Sequence, residues 1–389
     1  MYLGKQPFRS LTCWRRHWNL PTSRRWIVLV SSVSFFVTAI LVIAHHEAII
    51  EYSKETWKWN VQEGERRREE SVRLPFAWKY LDSQIKETDF VTDDGVVHQL
   101  DPDGPRWHES RLGKKVLILD VDSRLDTEEG SLLNPNPLTY KNMIPRTGGY
   151  LNHMLYAQLH GYDYRLVRPP NYPDRHGTWV KVPVIQEALK SYDIVVFLDA
   201  DCIFRYLHLP LEWLMSHWNI TEETMLAAPI DVEQRSTHDI RGNLFLNTGF
   251  IIAQQSERTQ EMFTRWEDCP SDKEWPECSN WNKKWAHEQA AFGNFVRYDY
   301  NTSGWIQPLP CNEANGSPLP RGNCRGVFVR HYWGSKAHTI WELFEQVTPA
   351  TVTSLHERFH QNIDEYFLDI NHLTYPFKEG DVVLRKNKY

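Results

Sequence analysis

The sequence lacks an excess of positive charge, and this absence limits what the protein can bind. It holds 44 Lys and Arg residues against 50 Asp and Glu residues, a formal net charge of −6. The first 25 residues contain six of the basic residues and no acid, so the rest of the chain carries a net charge of −12. Such an acidic body argues against a general nucleic-acid binder, because nucleic-acid binders need a basic face for phosphates.

Cysteine is scarce, and the sequence contains no internal repeat. The chain has only six cysteines, whose spacings match no zinc motif. A hydrophobic content of 41% with 24% charged residues excludes disorder as the overall state. The length of 389 residues suits one large domain with appendages, or two domains.

One long uncharged run is present close to the N-terminus. Residues 26–44 read WIVLVSSVSFFVTAILVIA, and as a helix they would span about 28 Å, close to the hydrocarbon thickness of about 30 Å. Arg24 and Arg25 precede the run, and positive charge stays on the cytosolic side of a membrane. We therefore predict a cytosolic tail over residues 1–25 and a single signal anchor over 26–44, with the bulk of the chain in the lumen or outside. A cleaved signal peptide would need a shorter apolar core and a small-residue cleavage site.

Five cysteines follow this run, and four of them bracket two short loops. Cys269 and Cys278 enclose one loop, and Cys311 and Cys324 enclose the other. Two local disulfides would fit an oxidising compartment, although spacing alone does not determine the connectivity. Cys202 is left over and lies in an apolar run, where we expect a buried thiol.

Three N-glycosylation tripeptides also follow the apolar run, at Asn219, Asn301 and Asn315. Together with the predicted anchor they favour the secretory pathway. Residues 45–111 are rich in charge at first and then in Asp, Gly and Pro, so we predict a stem or spacer. The remainder, residues 112–389, is predicted to form one large domain.

Apolar runs alternate with helical patterns after residue 112. Strands are predicted at 116–119, 164–167 and 194–198, and helices at 150–162, after Gly148-Gly149, and at 179–189. This alternation indicates an α/β fold with a largely parallel sheet. Ligands of such sheets collect at the carboxyl ends of the strands.

Two acids follow the clearest predicted strand. Asp199-Ala-Asp201 comes directly after the run IVVFL, which can bring both carboxylates near one cation. Mg²⁺ and Mn²⁺ prefer carboxylate oxygens and bind together with phosphates. The alternative is a pair of acids that only caps a turn.

A second segment with metal and phosphate chemistry is His331-Tyr-Trp-Gly334-Ser-Lys336. The imidazole of His331 suits a metal, Gly334 would permit close backbone approach, and Lys336 offers an ammonium group for phosphate. Taken alone, the segment favours a surface turn with a structural histidine over a metal and phosphate site.

Two further segments carry polar side chains beside apolar residues. In Leu246-Asn247-Thr248-Gly249 we expect Asn247 to hydrogen-bond the sugar of a donor, unless the segment is ordinary turn chemistry. In the segment 287–290, which reads HEQA, Glu288 and Gln289 either face a site or simply begin a helix.

Taken in order, these segments resemble glycosyltransferase family 34. The ordered motifs are W-x-K, strand-D-x-D, L-N-T-G, E-Q-A and H-x-x-G-x-K, and the similarity covers residues 112–345. This family comprises fungal α-1,2-galactosyltransferases and α-1,6-mannosyltransferases, and is related to the plant xyloglucan xylosyltransferases. The chain departs from the family pattern at Ala290, where Asp is common, and at Ser335, where Cys is common.

The resemblance implies a GT-A fold and a Golgi type II membrane enzyme with a lumenal catalytic domain. The enzyme would transfer a hexose, galactose or mannose, with retention from a nucleotide sugar to a glycan or glycoprotein acceptor, and could work within a glycosyltransferase complex. The implied site comprises Asp199, Asp201 and His331 for Mn²⁺ (or Mg²⁺), Gly334 and Lys336 for the diphosphate, Lys181 and Asp199 at the donor, and Gln289 with Asp199 at the reacting sugar. Gln289 is too weak a base to act as a nucleophile, so we expect attack by the acceptor on the same face.

Two other interpretations compete with a transferase. Asp120-Val-Asp122 after an apolar run resembles the first motif of haloacid-dehalogenase-type phosphatases, with Arg124 where Thr or Val is usual. The chain could also be a non-catalytic, sugar-binding subunit of a glycosyltransferase complex. Four tryptophans are candidates for an acceptor cleft, or else pack in the core and loops, namely Trp275, Trp281, Trp285 and Trp333.

Overall fold

The computed structural model of the chain describes residues 87–319 and 323–363. The predicted cytosolic tail, the signal anchor and the stem up to residue 86 lie outside the described residues. Among the described residues, no helix is both long enough and apolar enough to cross a membrane.

Ten strands and eight α-helices are assigned in the described part of the chain. The strands are β1 (Asp89–Val91), β2 (Val97–Gln99), β3 (Val116–Val121), β4 (Asp163–Val167), β5 (Ile194–Leu198), β6 (Cys202–Phe204), β7 (Leu226–Pro229), β8 (Phe250–Gln254), β9 (Ile306–Leu309) and β10 (Val329–His331). The helices are α1 (Pro145–His160), α2 (Lys181–Leu189), α3 (Leu211–His217), α4 (Glu257–Asp268), α5 (His287–Ala291), α6 (Arg297–Asp299), α7 (Cys311–Ala314) and α8 (His338–Gln361). The predicted helix 179–189 is a short 3-10 turn, Gly177–Val180, followed by α2.

A six-stranded mixed sheet organises the described residues, in the order β4-β3-β5-β8-β7-β9. β3 is parallel to β4 and β5, and β7 is parallel to β9. β8 is antiparallel to both of its neighbours, β5 and β7. Five strands therefore share one direction and β8 runs against them. The predicted α/β fold is confirmed, with one reversed strand in an otherwise parallel sheet.

The central strands are buried on both faces, which explains their uninterrupted apolar sequences. In β3, Val116 and Ile118 pack in a core that includes Leu155 and Tyr156 of α1. Successive residues of a strand point to opposite faces, so Leu117 faces the other side of the sheet, where α2 contacts β3 and β5. Helices on both sides thus hold β3 and β5 in place, with their carboxyl ends free to form a site.

The reversal of β8 brings two sequence motifs to one edge of the sheet. The first residue of β8, Phe250, pairs with Leu198, the last residue of β5. The segment before β8 therefore adjoins the segment after β5, and the N–H of Asp199 donates to the carbonyl oxygen of Gly249 at 2.7 Å. A strand parallel to β5 would have placed these segments at opposite edges.

A small second sheet carries the histidine segment to the same edge. β10 pairs antiparallel with β6, so that His331 lies opposite Cys202. One residue further along, the N–H of Tyr332 donates to the carbonyl oxygen of Asp201 at 2.8 Å. This pairing places His331 beside the acidic turn.

Helix α1 approaches that acidic turn more closely than a side chain would allow. A Cβ added to Gly149 would lie 2.1 Å from the carbonyl oxygen of Ala200, the residue between the two acids. Glycine at this position therefore lets the helix support the turn with its backbone.

Two disulfides stabilise loops on the described part of the chain. Cys269 is bonded to Cys278, and Cys311 is bonded to Cys324. Cys202 is a free thiol and is buried. Its Sγ donates to the carbonyl oxygen of Gly249 at 3.1 Å.

The three predicted glycosylation sites differ in exposure. Asn219 and Asn301 are exposed, whereas Asn315 has an exposed fraction of 0%. The Nδ2 of Asn315 donates to the carbonyl oxygen of Ile230 at 3.3 Å. A glycan on this amide has no room in the folded chain, so the structure contradicts the prediction at Asn315.

Candidate active site

Asp201 lies between two basic side chains at the edge of the sheet. Its Oδ1 is 3.4 Å from Nε2 of His331, and its Oδ2 is 2.9 Å from Nζ of Lys336. Gly334 lies in a turn in which the N–H of Ser335 donates to the carbonyl oxygen of Tyr332, and this turn directs Lys336 back towards Asp201. The structure thus brings together residues from two separate sequence motifs.

These contacts shift the protonation of the buried acid and base. Burial acts to raise the pKa of Asp201, but His331 and Lys336 outweigh it and hold this pKa well below its usual range. Burial acts to lower the pKa of His331, but the facing Asp201 carboxylate raises it above its usual value. Burial also raises the pKa of the Cys202 thiol, so Cys202 stays uncharged and Asp201 is the anion that faces the ring. The pair is therefore a carboxylate with an imidazolium in the absence of another cation.

Asp199, Asp201 and His331 form a group suited to a metal ion. Each offers one ligand atom, and these three atoms all lie within 4.8 Å of one another. Two carboxylate oxygens and one imidazole nitrogen suit Mn²⁺, and the oxygens also suit Mg²⁺. The residues present therefore fit the predicted divalent ion, which would take the place of the proton on His331.

Gly249 of the L-N-T-G segment allows His331 to occupy this position. A Cβ at residue 249 would lie 2.3 Å from Cε1 of His331. The backbone of His331 is also held, because its N–H donates to the carbonyl oxygen of Gly316 at 2.7 Å. The glycine of this motif therefore makes room for the imidazole.

Lys181 lies beneath Asp199 and is almost completely buried. Its Nζ donates to Oδ1 of Asp199 at 2.9 Å and to the carbonyl oxygen of Thr248 at 3.0 Å, and lies 3.3 Å from Oε1 of Glu288. Burial acts against the charge on Lys181, but Asp199 and Glu288 outweigh it and raise its pKa. Lys181 was predicted to contact the donor. In the structure its ammonium group instead contacts two carboxylates of the protein and orients Asp199.

The amide side chains of this region are bound to one carboxylate that the sequence interpretation missed. Asp231 accepts from Nε2 of Gln289 at 2.8 Å and from Nδ2 of Asn247 at 3.3 Å. The Oε1 of Gln289 accepts from the N–H of Thr248 at 3.0 Å. Asp231 follows the apolar strand β7, so the rule that polar residues collect at the carboxyl ends of strands could have identified it.

Glu288 is the second buried carboxylate of the region. Its Oε1 accepts from Oγ1 of Thr248 at 3.0 Å, and its Oε2 accepts from Oγ1 of Thr178. Glu288 and Gln289 therefore lie at the start of helix α5 and also face the site. Its two polar side chains position the segment before β8.

These residues line a cleft of about 1060 Å³. One part of the wall carries Asp201, His331 and Lys336, and another carries Asp122 and Arg124. Of the four candidate tryptophans, the cleft is lined by Trp285 and Trp333. The other two contact cations elsewhere: Trp275 lies under the guanidinium of Arg265 and Trp281 under the ammonium of Lys284.

The two acids of the phosphatase-like motif are both engaged by other side chains. Asp120 is fully buried and accepts from the hydroxyl of Tyr164 at 2.8 Å, while Nδ1 of His153 lies 2.9 Å from its other oxygen. Asp122 accepts from Tyr150 at 2.7 Å and from the guanidinium of Arg124 at 2.9 Å. Asp120 is inaccessible to a substrate, and the guanidinium of Arg124 makes Asp122 a weaker nucleophile, which argues against the phosphatase interpretation.

Residues 174–358 match a family model described as nucleotide-diphospho-sugar transferase. The match spans both acids of the D-x-D turn, Gln289, His331 and Lys336. The chain is a glycosyltransferase. Its described domain is an α/β, GT-A-like nucleotide-sugar transferase fold with a mixed sheet.

Solved structures with some similarity to this glycosyltransferase include two other sugar transferases. A glycosyltransferase involved in the glycosylation of the major capsid of PBCV-1 is 15% identical, with a TM-score of 0.41, covering 59% of this chain and 98% of that chain. The galactosyltransferase LgtC, solved with donor and acceptor sugar analogues, is 15% identical, with a TM-score of 0.32, covering 60% of this chain and 95% of that chain. No curated protein matches the chain.

Proposed function

We propose that this glycosyltransferase is a family 34 enzyme that transfers a hexose from a nucleotide sugar to a glycan acceptor with retention of configuration. Galactose and mannose are the sugars we favour. The observation that carries the proposal is the convergence of Asp199, Asp201 and His331 at one edge of the cleft, with Lys336 beside them. The ordered motifs of the sequence support the family, and the apolar run 26–44 supports a Golgi type II membrane protein with a lumenal active site.

The metal group and Lys336 together form the part of the cleft that would bind a diphosphate. When bound, Mn²⁺ or Mg²⁺ acts as a Lewis acid that offsets the charge developing on the leaving nucleoside diphosphate. Asp199, Asp201 and His331 would hold the ion. The ammonium group of Lys336, whose side chain is 57% exposed, is accessible to phosphate oxygens and adds electrostatic stabilisation.

The remaining carboxylates distinguish between the two routes by which a transferase can retain the configuration of the sugar, double displacement and same-face attack. A double displacement needs a carboxylate that is free to form a bond to the sugar. Glu288 is bound by Lys181 and two threonine hydroxyls, and Asp231 is bound by Gln289 and Asn247. With both acids engaged, attack by the acceptor on the same face, with Gln289 holding the polar network in position, is the mechanism we propose.

The test is turnover of a panel of nucleotide sugars by the full chain with Mn²⁺. We expect one GDP- or UDP-linked hexose to be consumed in the presence of a glycan acceptor, and the product to keep the anomeric configuration of the donor. Asp201→Ala should lower turnover by roughly 10²-fold or more while the far-ultraviolet circular dichroism spectrum stays unchanged. The exposed Asp103 provides the matched control, because Asp103→Ala removes an acid that does not line the cleft.

Two results would reject the proposal in different ways. Normal turnover by Asp201→Ala would show that the metal assignment is wrong. A wild-type chain that consumes no nucleotide sugar with Mn²⁺, but still binds glycans, would favour a non-catalytic subunit of a glycosyltransferase complex.

A further inference from the structure

A second group of potential metal ligands lies outside the cleft. It consists of His98, His217 and Glu313, whose ligand atoms all lie within 4.8 Å of one another. None of the three lines the cleft described above. They come from β2, from the end of α3 and from α7, so the cluster exists only in the folded chain.

The geometry directs both imidazoles towards one carboxylate. Nε2 of His217 lies 3.0 Å from Oε2 of Glu313, and Nδ1 of His98 lies 4.0 Å from Oε1 of Glu313. The three side chains are 14–19% exposed, so the site is sheltered but open to a water molecule. In a tetrahedral zinc site with bonds of about 2.0–2.2 Å, ligand atoms lie about 3.3–3.5 Å apart. The distance from His217 to Glu313 is slightly shorter than this value, and the distance from His98 to Glu313 is slightly longer. A small shift of the His98 ring would therefore bring the ligand atoms to the spacing of a zinc site.

Each ligand is held in place by neighbouring groups. The ring of His217 stacks on Trp213 with centroids 5.0 Å apart, and the ring of His98 meets Phe328 edge-on at 4.9 Å. Nε1 of Trp218 donates to Oε2 of Glu313 at 2.8 Å and so orients the carboxylate. A donor that orients a ligating carboxylate is a regular feature around protein metal sites.

We propose that His98, His217 and Glu313 bind Zn²⁺, with water as the fourth ligand. Imidazole nitrogens and a carboxylate oxygen are a ligand set that zinc commonly takes, with one position left open. The ion fastens the hairpin β1–β2 to the body of the domain, because His98 belongs to the hairpin and the other two ligands do not. This site is independent of the sugar-transfer cleft and of the ion proposed there.

The hairpin is attached to the body of the domain by ring contacts and an ion pair, and a bound ion would add to these. Phe90 packs edge-on against Tyr206 at 4.8 Å, and the exposed Asp93 pairs with Arg205 at 2.7 Å. A metal bond from His98 would link the hairpin to two core segments at once. Zinc is therefore expected to raise the melting temperature of the chain.

The experiment measures zinc in the full chain after dialysis against metal-free buffer, by elemental mass spectrometry, and follows melting with and without added Zn²⁺. We expect Asp201→Ala to keep one zinc per chain and to show a rise in melting temperature with zinc. Adding Glu313→Gln to this variant should remove both the bound zinc and the rise in melting temperature, because the glutamine amide keeps the shape of the carboxylate but lacks its negative charge. Adding His98→Phe, which preserves ring packing against Phe328, should lower zinc affinity by more than about 100-fold, beyond the effect of losing an orienting neighbour.

The exposed pair His356 and His360 provides a matched control. Their Nε2 atoms lie 3.1 Å apart on α8, so they form a close, exposed pair of imidazoles that could bind zinc from solution. His356→Ala should leave both the zinc content and the zinc-dependent melting shift of Asp201→Ala unchanged. If Glu313→Gln and His98→Phe keep the zinc, or if the Co²⁺-loaded Asp201→Ala variant lacks the strong visible absorption of a four-coordinate site, the proposal is wrong and the cluster is only a hydrogen-bonded one.

Discussion

At the residue scale, the buried charges of the cleft are each paired with an opposite charge or a hydrogen-bond donor. Lys181 is in contact with Asp199 and Glu288, and Asp201 is in contact with His331 and Lys336. A buried charge that loses its partner is far more costly than an exposed one, because water cannot replace the lost interaction. Removing single members of these pairs is therefore the most informative change at this scale.

Replacing Lys181 should destabilise the chain much more than replacing an exposed lysine. Lys181→Met leaves Asp199 and Glu288 without their shared cation, and we expect the free energy of unfolding to fall by about 3–5 kcal/mol. Urea denaturation measures this loss. Lys190→Met is the control, because Lys190 forms an exposed pair with Glu187 and should change stability by about 1 kcal/mol or less. Equal effects of the two substitutions would contradict the structural role of Lys181.

Asp122 should contribute to the dependence of stability on pH. Burial acts to raise its pKa, but hydrogen bonds from Arg124 and Tyr150 outweigh it and lower the pKa below its usual value. The carboxylate therefore stabilises the fold above the unfolded-state pKa of about 3.9, and this contribution is lost as the pH falls through the lower folded-state pKa. We expect the free energy of unfolding, measured by urea titrations, to fall less for Asp122→Asn than for the wild type as the pH is lowered through this acid range. Parallel curves for the two proteins would show that Asp122 makes no such contribution.

At the element scale, the site depends on close approaches between elements far apart in the sequence. Helix α1 meets the acidic turn through Gly149, and the segment before β8 meets β10 through Gly249. Both contacts occur where a side chain would displace a ligand segment. Changes at these glycines are therefore expected to affect metal binding as well as stability.

Gly149→Ala should weaken both the fold and the metal site. The added methyl group would lie 2.1 Å from the carbonyl oxygen of Ala200, so the helix or the turn must move. We expect a loss of about 1–3 kcal/mol in the free energy of unfolding and weaker Mn²⁺ binding by calorimetry. Gly177→Ala is the control for stability, because its Cβ would meet nothing closer than 3.6 Å. Unchanged Mn²⁺ affinity in Gly149→Ala would show that the acidic turn does not need this helix contact.

The two disulfides should differ in their effect on the site. Each closes a short loop, and replacing either cysteine pair by serine should cost about 2–4 kcal/mol. The loop closed by Cys311 and Cys324 also contains Gly316, whose carbonyl oxygen accepts from the N–H of His331. We therefore expect the Cys311→Ser/Cys324→Ser variant alone to lose Mn²⁺ affinity, with Cys269→Ser/Cys278→Ser as the matched control. Similar Mn²⁺ affinities in the two variants would contradict this link.

At the scale of the whole molecule, charge distinguishes the basic N-terminal segment from the acidic remainder of the sequence. The basic residues of segment 1–25 precede the uncharged run, and the rest of the chain carries a net charge of −12. The topology predicted from this arrangement places the described domain in the lumen. Glycosylation reports that topology directly, because only lumenal asparagines are modified.

The chain expressed in a eukaryotic cell should therefore carry two N-linked glycans. Asn219 and Asn301 are exposed, and Asn315 is buried. We expect endoglycosidase treatment to reduce the apparent mass by two glycans, and Asn219→Gln with Asn301→Gln to abolish the reduction. Asn315→Gln is the control and should leave the glycan number unchanged. A chain without any glycan would contradict the lumenal topology, and a third glycan at Asn315 would contradict its burial.

Much of the fold was predictable because local patterns express burial directly. The runs VLIL and IVVFL are apolar throughout because both faces of β3 and β5 are covered, and the acids that follow them lie at the carboxyl ends of these strands. Asp199 and Asp201 were predicted as metal ligands from their position after a strand, whereas His331 was assigned to the metal through the family resemblance. Asp231 obeys the same rule after β7 but was missed, because its short strand is followed by a segment without any motif.

The sequence by itself determined the α/β class and the position of the D-x-D turn, because these depend on side-chain types along short segments, and its ordered motifs indicated a glycosyltransferase through their resemblance to a known family. Only the tertiary structure decided that β8 is reversed, that β10 brings His331 to Asp201, that Lys181 serves Asp199 and that Asn315 is buried. Each of these depends on how segments distant in sequence pack together. Such packing is governed by the shared burial of many side chains, which no single segment contains.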